Sequence, residues 1–233
     1  MQLTILIPVY NEIRTLESVV IRVLSADTLG RTREVILVDD ASRDGSVELA
    51  HRLVERHAEV RLFSHATNRG KGAALRTGLA AARGELVLIQ DADLEYDPAD
   101  YPALLAPFDH GADVVYGSRF HPHGSARGLR PWQRGGNWLL THLANLLTGF
   151  RLTDMETGYK VIRRRLLDRI TLHEESFGIE PEVTMKLARL TPQPRLVEVP
   201  IHYASRDYEA GKKLTPVDGL RALYCLIRYR VQD

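Results

Sequence analysis

Alternation of two hydrophobic periods along the first half of the chain restricts its fold more than any other feature. Residues 3–10, 35–39, 60–64, 85–90 and 112–117 are short runs rich in β-branched and other apolar residues. Between them, residues 12–26, 44–57, 70–83 and 98–109 carry apolar residues at helical spacing. Asp44 and Asp97-Pro98 are helix-start signals. Strand–helix–strand order of this kind favours parallel strands, because a helical crossover returns each new strand in the direction of the last. The expected class is α/β, a mostly parallel sheet with helices on both faces.

After Gly117 the pattern changes. Residues 118–134, rich in Gly, Pro, Arg and His, read as a long loop, and 137–150 as an amphipathic helix. A turn and strand (153–163), a helix (180–190), a strand (196–202), a polar basic loop (203–214) and a last amphipathic helix (216–230) complete the reading. No internal repeat interrupts it. The expected organisation is one domain over 1–233, with 118–233 a C-terminal elaboration of 1–117.

Composition narrows the function. The 233 residues carry net charge +1, which argues against broad nucleic-acid binding. The balance is uneven: residues 1–117 hold 12 basic and 18 acidic side chains, residues 118–233 hold 19 and 12. A basic C-terminal half suits phosphate groups or an anionic membrane surface, and equally an ordinary solvated face. The one cysteine, Cys225, allows no intrachain disulfide and reads as core or interface filler. Met1 leads straight into an apolar run too short for a signal peptide, and no run has the ~20 apolar residues of a span. A cytoplasmic chain, soluble or attached to a membrane at its surface, is expected.

Chemistry concentrates where strands end. Asp91-Ala92-Asp93 follows the fourth strand, and in an open α/β sheet that edge is where ligands bind. Two acids one residue apart can hold a hard divalent cation such as Mg²⁺ or Mn²⁺, whose shell is shared with substrate phosphates. Pro8-Val9-Tyr10-Asn11-Glu12 and Val38-Asp39-Asp40-Ala41-Ser42 follow the first two strands and open on the same edge. Asn68-Arg69-Gly70-Lys71-Gly72 precedes a helix, where free N–H groups and a lysine suit an anion. Each segment alone is a common pattern; four on one edge indicate a metal-diphosphate site.

These four segments resemble those of the family 2 glycosyltransferases with the GT-A fold. The resemblance implies that Pro8, Tyr10, Glu12, Val38, Asp40 and Lys71, with Asp91, contact a nucleotide sugar, and that Asp91, Asp93 and Glu95 hold Mn²⁺ or Mg²⁺. Many relatives have Gln in place of Glu95. Further segments are similar to those of polyprenyl-phosphate hexose synthases of the dolichol-phosphate mannose synthase type: Gly117-Ser118-Arg119-Phe120, Asp154-Met155-Glu156-Thr157-Gly158-Tyr159-Lys160, and Arg206 with Lys212 and Lys213. That similarity implies catalytic roles for Asp91, Asp93, Arg119, Arg206 and Lys212. It implies an acceptor-phosphate site at Arg119 and Arg134, with Arg130 as rival to Arg134. The transmembrane hairpins that follow the domain in many relatives do not follow here, which leaves room for a separate membrane-anchoring subunit.

The implied reaction is inverting transfer of a hexose, mannose from GDP-mannose or glucose from UDP-glucose, to a dolichyl or undecaprenyl phosphate at the inner membrane face. A second reading keeps the enzyme and takes a sugar hydroxyl as acceptor, with Asp154 and Glu156 as the acidic pair. A third is a non-catalytic nucleotide-sugar-binding module. Apolar and aromatic residues in 137–150 and 216–230, interleaved with arginines in the latter, suit helices lying in a membrane interface or packing on the core. Arg163-Arg164-Arg165 reads as a solvated face or a lipid-headgroup contact, and His121-Pro122-His123 as incidental rather than a zinc site.

Overall fold

The computed structural model describes residues 1–205 and 216–231, the side chains of 216–218 excepted. In chain order the elements are β1 (Leu3–Val9), α1 (Leu16–Ser25), β2 (Arg33–Asp39), α2 (Ser46–Arg56), β3 (Val60–Ser64), α3 (Lys71–Ala81), β4 (Leu86–Ile89) and α4 (Tyr101–Leu105). They continue with β5 (Val114–Ser118), β6 (Ser125–Arg127), α5 (Pro131–Thr148), β7 (Lys160–Arg163), α6 (Arg164–Leu167), α7 (Ile179–Ala188), β8 (Leu196–Pro200), β9 (His202–Ala204) and α8 (Pro216–Val231).

Seven strands form one sheet in the order β3-β2-β1-β4-β7-β5-β8. All its pairings are parallel except those of β7, which runs antiparallel between β4 and β5. Side chains alternate across each strand, so Ile5, Ile7, Val35 and Leu37 pack with α1, α2 and α4, while Leu6, Ile36 and Val38 pack on the other face with α3, α7 and α8. β6 and β9 pair as a separate two-stranded ribbon.

Differences from the expected elements have local causes. The helix expected from residue 12 begins at Leu16, because the backbone N–H groups of Glu12 and Ile13 donate to the side chains of Ser46 and Asp44 instead. Residues 98–110 are a 3₁₀ turn, the short α4 and a second 3₁₀ turn. Pro102 and Pro107 lack the N–H groups a continuous helix would use. α5 starts at Pro131, a residue suited to a first helical position, and ends at Gly149 with φ +77°. The strand expected over 196–202 ends at Pro200, and His202–Ala204 joins the small ribbon. Arg206, Lys212 and Lys213 lie outside the described residues.

Candidate active site at the strand ends

The segments after β1, β2 and β4 meet at the C-terminal edge of the sheet around a cavity of about 650 Å³. Each of the three turns holds a non-glycine residue at positive φ: Asn11 (54°), Ala41 (61°) and Leu94 (60°). Such geometry costs of the order of 1 kcal/mol per residue and persists only when neighbours impose it. Here they do. Asn11 N–H donates to Ser42 Oγ (2.9 Å), Arg43 N–H to Asn11 Oδ1 (2.8 Å), and Ser42 N–H to Asp39 Oδ2 (3.1 Å). Pro8, Tyr10, Glu12, Asp40, Lys71, Asp91, Asp93, Glu95 and Arg119 all line the cavity.

Asp91 stands at the centre. Its Oδ1 lies 2.8 Å from Lys71 Nζ, which also reaches Glu180 Oε1 at 2.8 Å. Burial alone would lower the lysine pKa, but these two carboxylates raise it well above its ordinary value, so Lys71 is a fixed cation. Asp91 Oδ2 faces the Cα of Gly158, where a Cβ would stand only 2.4 Å away. Glycine is therefore the residue that lets the 154–160 segment close on the acid. Beneath the acidic turn, Gln90 Oε1 accepts the hydroxyls of Tyr101 (2.8 Å) and Tyr159 (2.7 Å).

The glycine-rich turn before α3 differs from its expected role. Its N–H groups are already engaged: Arg69 and Gly70 donate to Asp40 (2.9 and 2.7 Å), and Gly72 and Ala73 to the Glu175 carbonyl (2.8 and 3.3 Å). The anion those donors hold is the protein's own Asp40, whose Oδ1 also meets His65 Nδ1 at 2.7 Å. Asp40 thus anchors this turn as well as lining the cavity. Lys71 remains as the cation that the turn presents.

Three expected site residues stand elsewhere. Val38 is core: strand alternation puts its side chain with Ile36 on the α3 face, where it packs near Gly78. Arg134 is exposed outside the cavity, with Nη2 donating to the Ala126 carbonyl at 2.9 Å. Its rival Arg130 is also exposed and outside the cavity lining, just before α5. Glu95 is in the cavity wall, but its Oε2 accepts the Tyr203 hydroxyl at 2.5 Å. Among the described residues no three carboxylate, histidine or cysteine side chains converge to hold a metal. Asp91 and Asp93 thus form a two-carboxylate, all-oxygen set, which fits Mg²⁺ or Mn²⁺ when diphosphate oxygens and water complete the shell.

Arg119 lines the cavity in a fully committed geometry. Its Nε and Nη2 donate to Asp154 at 2.6 and 2.7 Å, and its backbone N–H adds a third bond at 3.1 Å. Its guanidinium also sits 5.1 Å from the Tyr203 ring centroid. Glu156, two residues on from Asp154, also lines the cavity, and its Oε1 has no hydrogen-bond partner among the described residues. Burial first and Glu180 second push its carboxyl up to about 8. Burial also lowers Lys160, whose Nζ donates to the Met155 and Thr157 carbonyls.

Glu180, Tyr96 and Tyr203 are the site residues that sequence reading missed, because no local motif marks them. Arg163 and Arg165 pair with Asp113 (3.6 and 2.6 Å) and Arg164 with Asp168 (3.6 Å), at the sheet edge opposite the cavity. Arg163 also donates to the Ala112 and Phe108 carbonyls, while Arg164 is half-exposed and Arg165 exposed. Cys225 is buried, and burial ahead of Glu174 pushes its thiol up to about 12, which suits a packing role.

α5 and α8 each bury one face and expose large apolar side chains on the other. Trp138 (62% exposed), Leu139 (58%) and Leu146 (82%) stand out on α5, and Tyr224 (57%) and Ile227 (57%) on α8. The packing reading thus holds for one face of each helix, and the other face is left exposed. Among the described residues no helix is long and apolar enough to cross a membrane.

Comparison with known proteins agrees with this architecture. The sequence profile described as "Glycosyl transferase family 2" matches residues 4–171. The undecaprenyl-phosphate 4-deoxy-4-formamido-L-arabinose transferases of Salmonella paratyphi B and Salmonella newport are each 31% identical over 215 residues, covering 91% of this chain. The chain spans 62% of the length of these relatives. Glucosyl-3-phosphoglycerate synthase from Mycobacterium tuberculosis, solved with Mn²⁺, UDP and glucosyl-3-phosphoglycerate, superimposes with a TM-score of 0.74. It is 20% identical, over 100% of this chain and 81% of that one. The same enzyme with Mn²⁺ and UDP-glucose gives a TM-score of 0.74 at 22% identity, over 100% and 80%. At these identities the likeness establishes the fold, which is GT-A.

Proposed function

The chain belongs to the family 2 glycosyltransferases, and on that premise we propose that it moves a hexose from a nucleoside-diphosphate sugar to a polyprenyl phosphate at the inner membrane face. The observation that carries the reading is the convergence of Glu12, Asp40, Lys71, Asp91, Asp93 and Arg119 on one cavity. The curated relatives named for undecaprenyl phosphate support the acceptor class, and the Mn²⁺ and UDP of the structural neighbours support the donor class.

In this reading Asp91 and Asp93 hold Mn²⁺ or Mg²⁺, which supplies Lewis-acid stabilisation of the departing diphosphate. Lys71 adds a fixed positive charge beside Asp91. The pairing of Arg119 with Asp154 keeps the guanidinium rigid in the cavity wall, so its field is oriented before substrate arrives. Arg206 and Lys212, which the sequence resemblance assigns to the diphosphate, lie outside the described residues. An acceptor phosphate needs no strong base, since its second pKa is about 6 and it is largely dianionic at neutral pH. The phosphate oxygen attacks the anomeric carbon opposite the leaving nucleotide, inverting its configuration. The exposed apolar faces of α5 and α8 seat the enzyme at the membrane surface, where a lipid-borne acceptor reaches the cavity. Trp132, Gln133 and Asn137 link the two, since all three line the cavity from the first turns of α5.

One observation favours the second reading, a sugar-hydroxyl acceptor. Glu156 lines the cavity with a carboxyl oxygen that has no partner among the described residues, and burial pushes its pKa up to about 8, suited to a general base. One assay separates the two. Purified protein receives radiolabelled GDP-mannose, UDP-glucose or UDP-GlcNAc, with Mn²⁺ or Mg²⁺ and a short polyprenyl phosphate in detergent. Metal-dependent label in organic-extractable lipid, lost in Asp91→Asn and kept in Glu156→Gln, is the expected result. No lipid label from any donor, with nucleotide binding intact, refutes the phosphate acceptor.

A further inference from the structure

We infer that Glu174 is a positioning residue for the donor site: its carboxylate ties α8 to a strap, residues 171–178, whose backbone fixes Lys71 against Asp91. The inference rests on the donor-site reading above. Glu174 is 3% exposed, yet four side chains of α8, those of Arg221, Cys225, Arg228 and Tyr229, converge on it. Arg221 donates to Oε2 through Nε (3.0 Å) and Nη2 (2.9 Å), the Tyr229 hydroxyl donates to Oε1 (2.9 Å), and Arg228 stands 3.8 Å away. Gly178 makes room for this carboxylate, because a Cβ there would stand 2.6 Å from Oε2.

The strap's backbone is held as firmly as its side chain. Glu182 of α7 accepts the N–H groups of His173 and Glu174, each at 2.7 Å. On the opposite side, the Glu175 carbonyl accepts Gly72 N–H at 2.8 Å, and the Glu174 carbonyl accepts Arg76 Nη1 at 2.5 Å. No side chain intervenes: a Cβ on Gly70 would lie 2.3 Å from the Glu175 oxygen, and one on Gly72 2.2 Å from the Glu174 oxygen. Backbone therefore rests on backbone on both sides of Lys71. A displacement of the strap is passed to Lys71, and through its 2.8 Å contact to Asp91.

A carboxylate is an expensive way to attach a helix. α8 already buries Ala222, Cys225, Leu226 and Tyr229, and a further apolar residue would hold it without the desolvation cost of a buried charge. What the carboxylate adds is direction, because it accepts donors only at set angles and fixes the register of α8 against the strap. α8 also directly follows residues 206–215, which carry Arg206 and Lys212. Through Glu174, the position of α8 on a membrane and the geometry of Asp91 become linked.

The test compares wild type with Glu174→Gln, Arg221→Gln and Asp91→Asn. Titration calorimetry measures binding of Mn²⁺ with GDP or UDP, whichever wild type binds, and hydrogen exchange reads the Gly72 and Ala73 amides. Arg221 is half exposed, so its replacement leaves the fold intact as judged by circular dichroism. The expected result is a roughly 3- to 30-fold rise in Kd for both Glu174→Gln and Arg221→Gln, the range for residues that couple sites without touching ligand. Faster exchange at Gly72 and Ala73 accompanies it. Unchanged Kd and exchange in Arg221→Gln, with binding lost in Asp91→Asn, overturns the inference while leaving the donor site standing. Retained metal-nucleotide binding in Asp91→Asn overturns both.

Discussion

Replacing Gly158 by alanine tests the site at its tightest point. The added Cβ would stand 2.4 Å from Asp91 Oδ2 and 2.9 Å from Tyr96 Cε2, where ordinary contact begins at 3.4 Å. The Tyr96 ring has little room to yield, packed 4.7 Å from the Tyr159 ring and 5.1 Å from that of Tyr203. The Asp91 carboxylate must therefore retreat by about 1 Å, which pulls Oδ1 away from Lys71. Overpacking of this kind costs about 1–3 kcal/mol of stability. A misplacement of about 1 Å at a reacting centre costs about 100-fold in rate, or about 2.7 kcal/mol of barrier. The assay pairs transfer rate across a Mn²⁺ titration with a thermal melt. Turnover should fall about 100-fold with weaker Mn²⁺ dependence, while Tm drops about 2–4 °C per kcal/mol lost. Gly135→Ala is the control, since nothing lies within 4 Å of its added methyl. Wild-type turnover and metal dependence in Gly158→Ala would refute the placement of Asp91 at the reaction.

Other perturbations read other parts of the molecule. Arg119→Met leaves the buried Asp154 without its cation and should cost about 3–5 kcal/mol in urea unfolding; adding Asp154→Leu should recover stability but not transfer. Glu34 is held below its ordinary pKa of 4.5: burial would raise it, but hydrogen bonds from Thr4, Arg83 and Arg61 outweigh that. Its contribution is complete above about pH 4.5 and is lost as pH falls through the lower folded value. Glu34→Gln should thus cost about 1–3 kcal/mol at pH 7, with the gap to wild type closing below pH 4 in acid unfolding curves. Trp138→Glu with Tyr224→Glu should abolish co-sedimentation with anionic liposomes while leaving Mn²⁺-nucleotide binding intact; unaltered sedimentation would remove the membrane role of α5 and α8.

Much of the donor side was legible because its determinants are local. Strand periodicity located β1 to β5, and strand ends located Glu12, Asp40, Asp91 and Asp93. What escaped is what depends on segments distant in sequence. Val38 looked like part of a motif, but the pleat of β2 turns its side chain to the far face. The N–H groups before α3 looked free because their acceptors, Asp40 and Glu175, lie about 30 and 100 residues away. The hydrogen bond from Tyr203 to the Glu95 carboxylate likewise joins residues 108 positions apart. Glu180 carries no motif at all; only the docking of α7 brings it to Lys71. Arg134 failed differently: α5 begins earlier than its periodicity indicated, which points this residue toward β6.

The antiparallel strand β7 has a consequence for how the chain assembles. β4 finds one neighbour in β1, but its other neighbour is residues 160–163, and β5 pairs only with β7 and β8. A nascent chain ending at residue 117 would present β4 as a bare edge and leave β5 with no strand beside it. Such contacts of long sequence separation slow folding and leave edges open to wrong pairing in the meantime. Residues 1–117 are therefore not a module that can be cut away and studied alone. Ribosomal synthesis must carry the chain past β7 before the strand that supports Asp91 has both its neighbours.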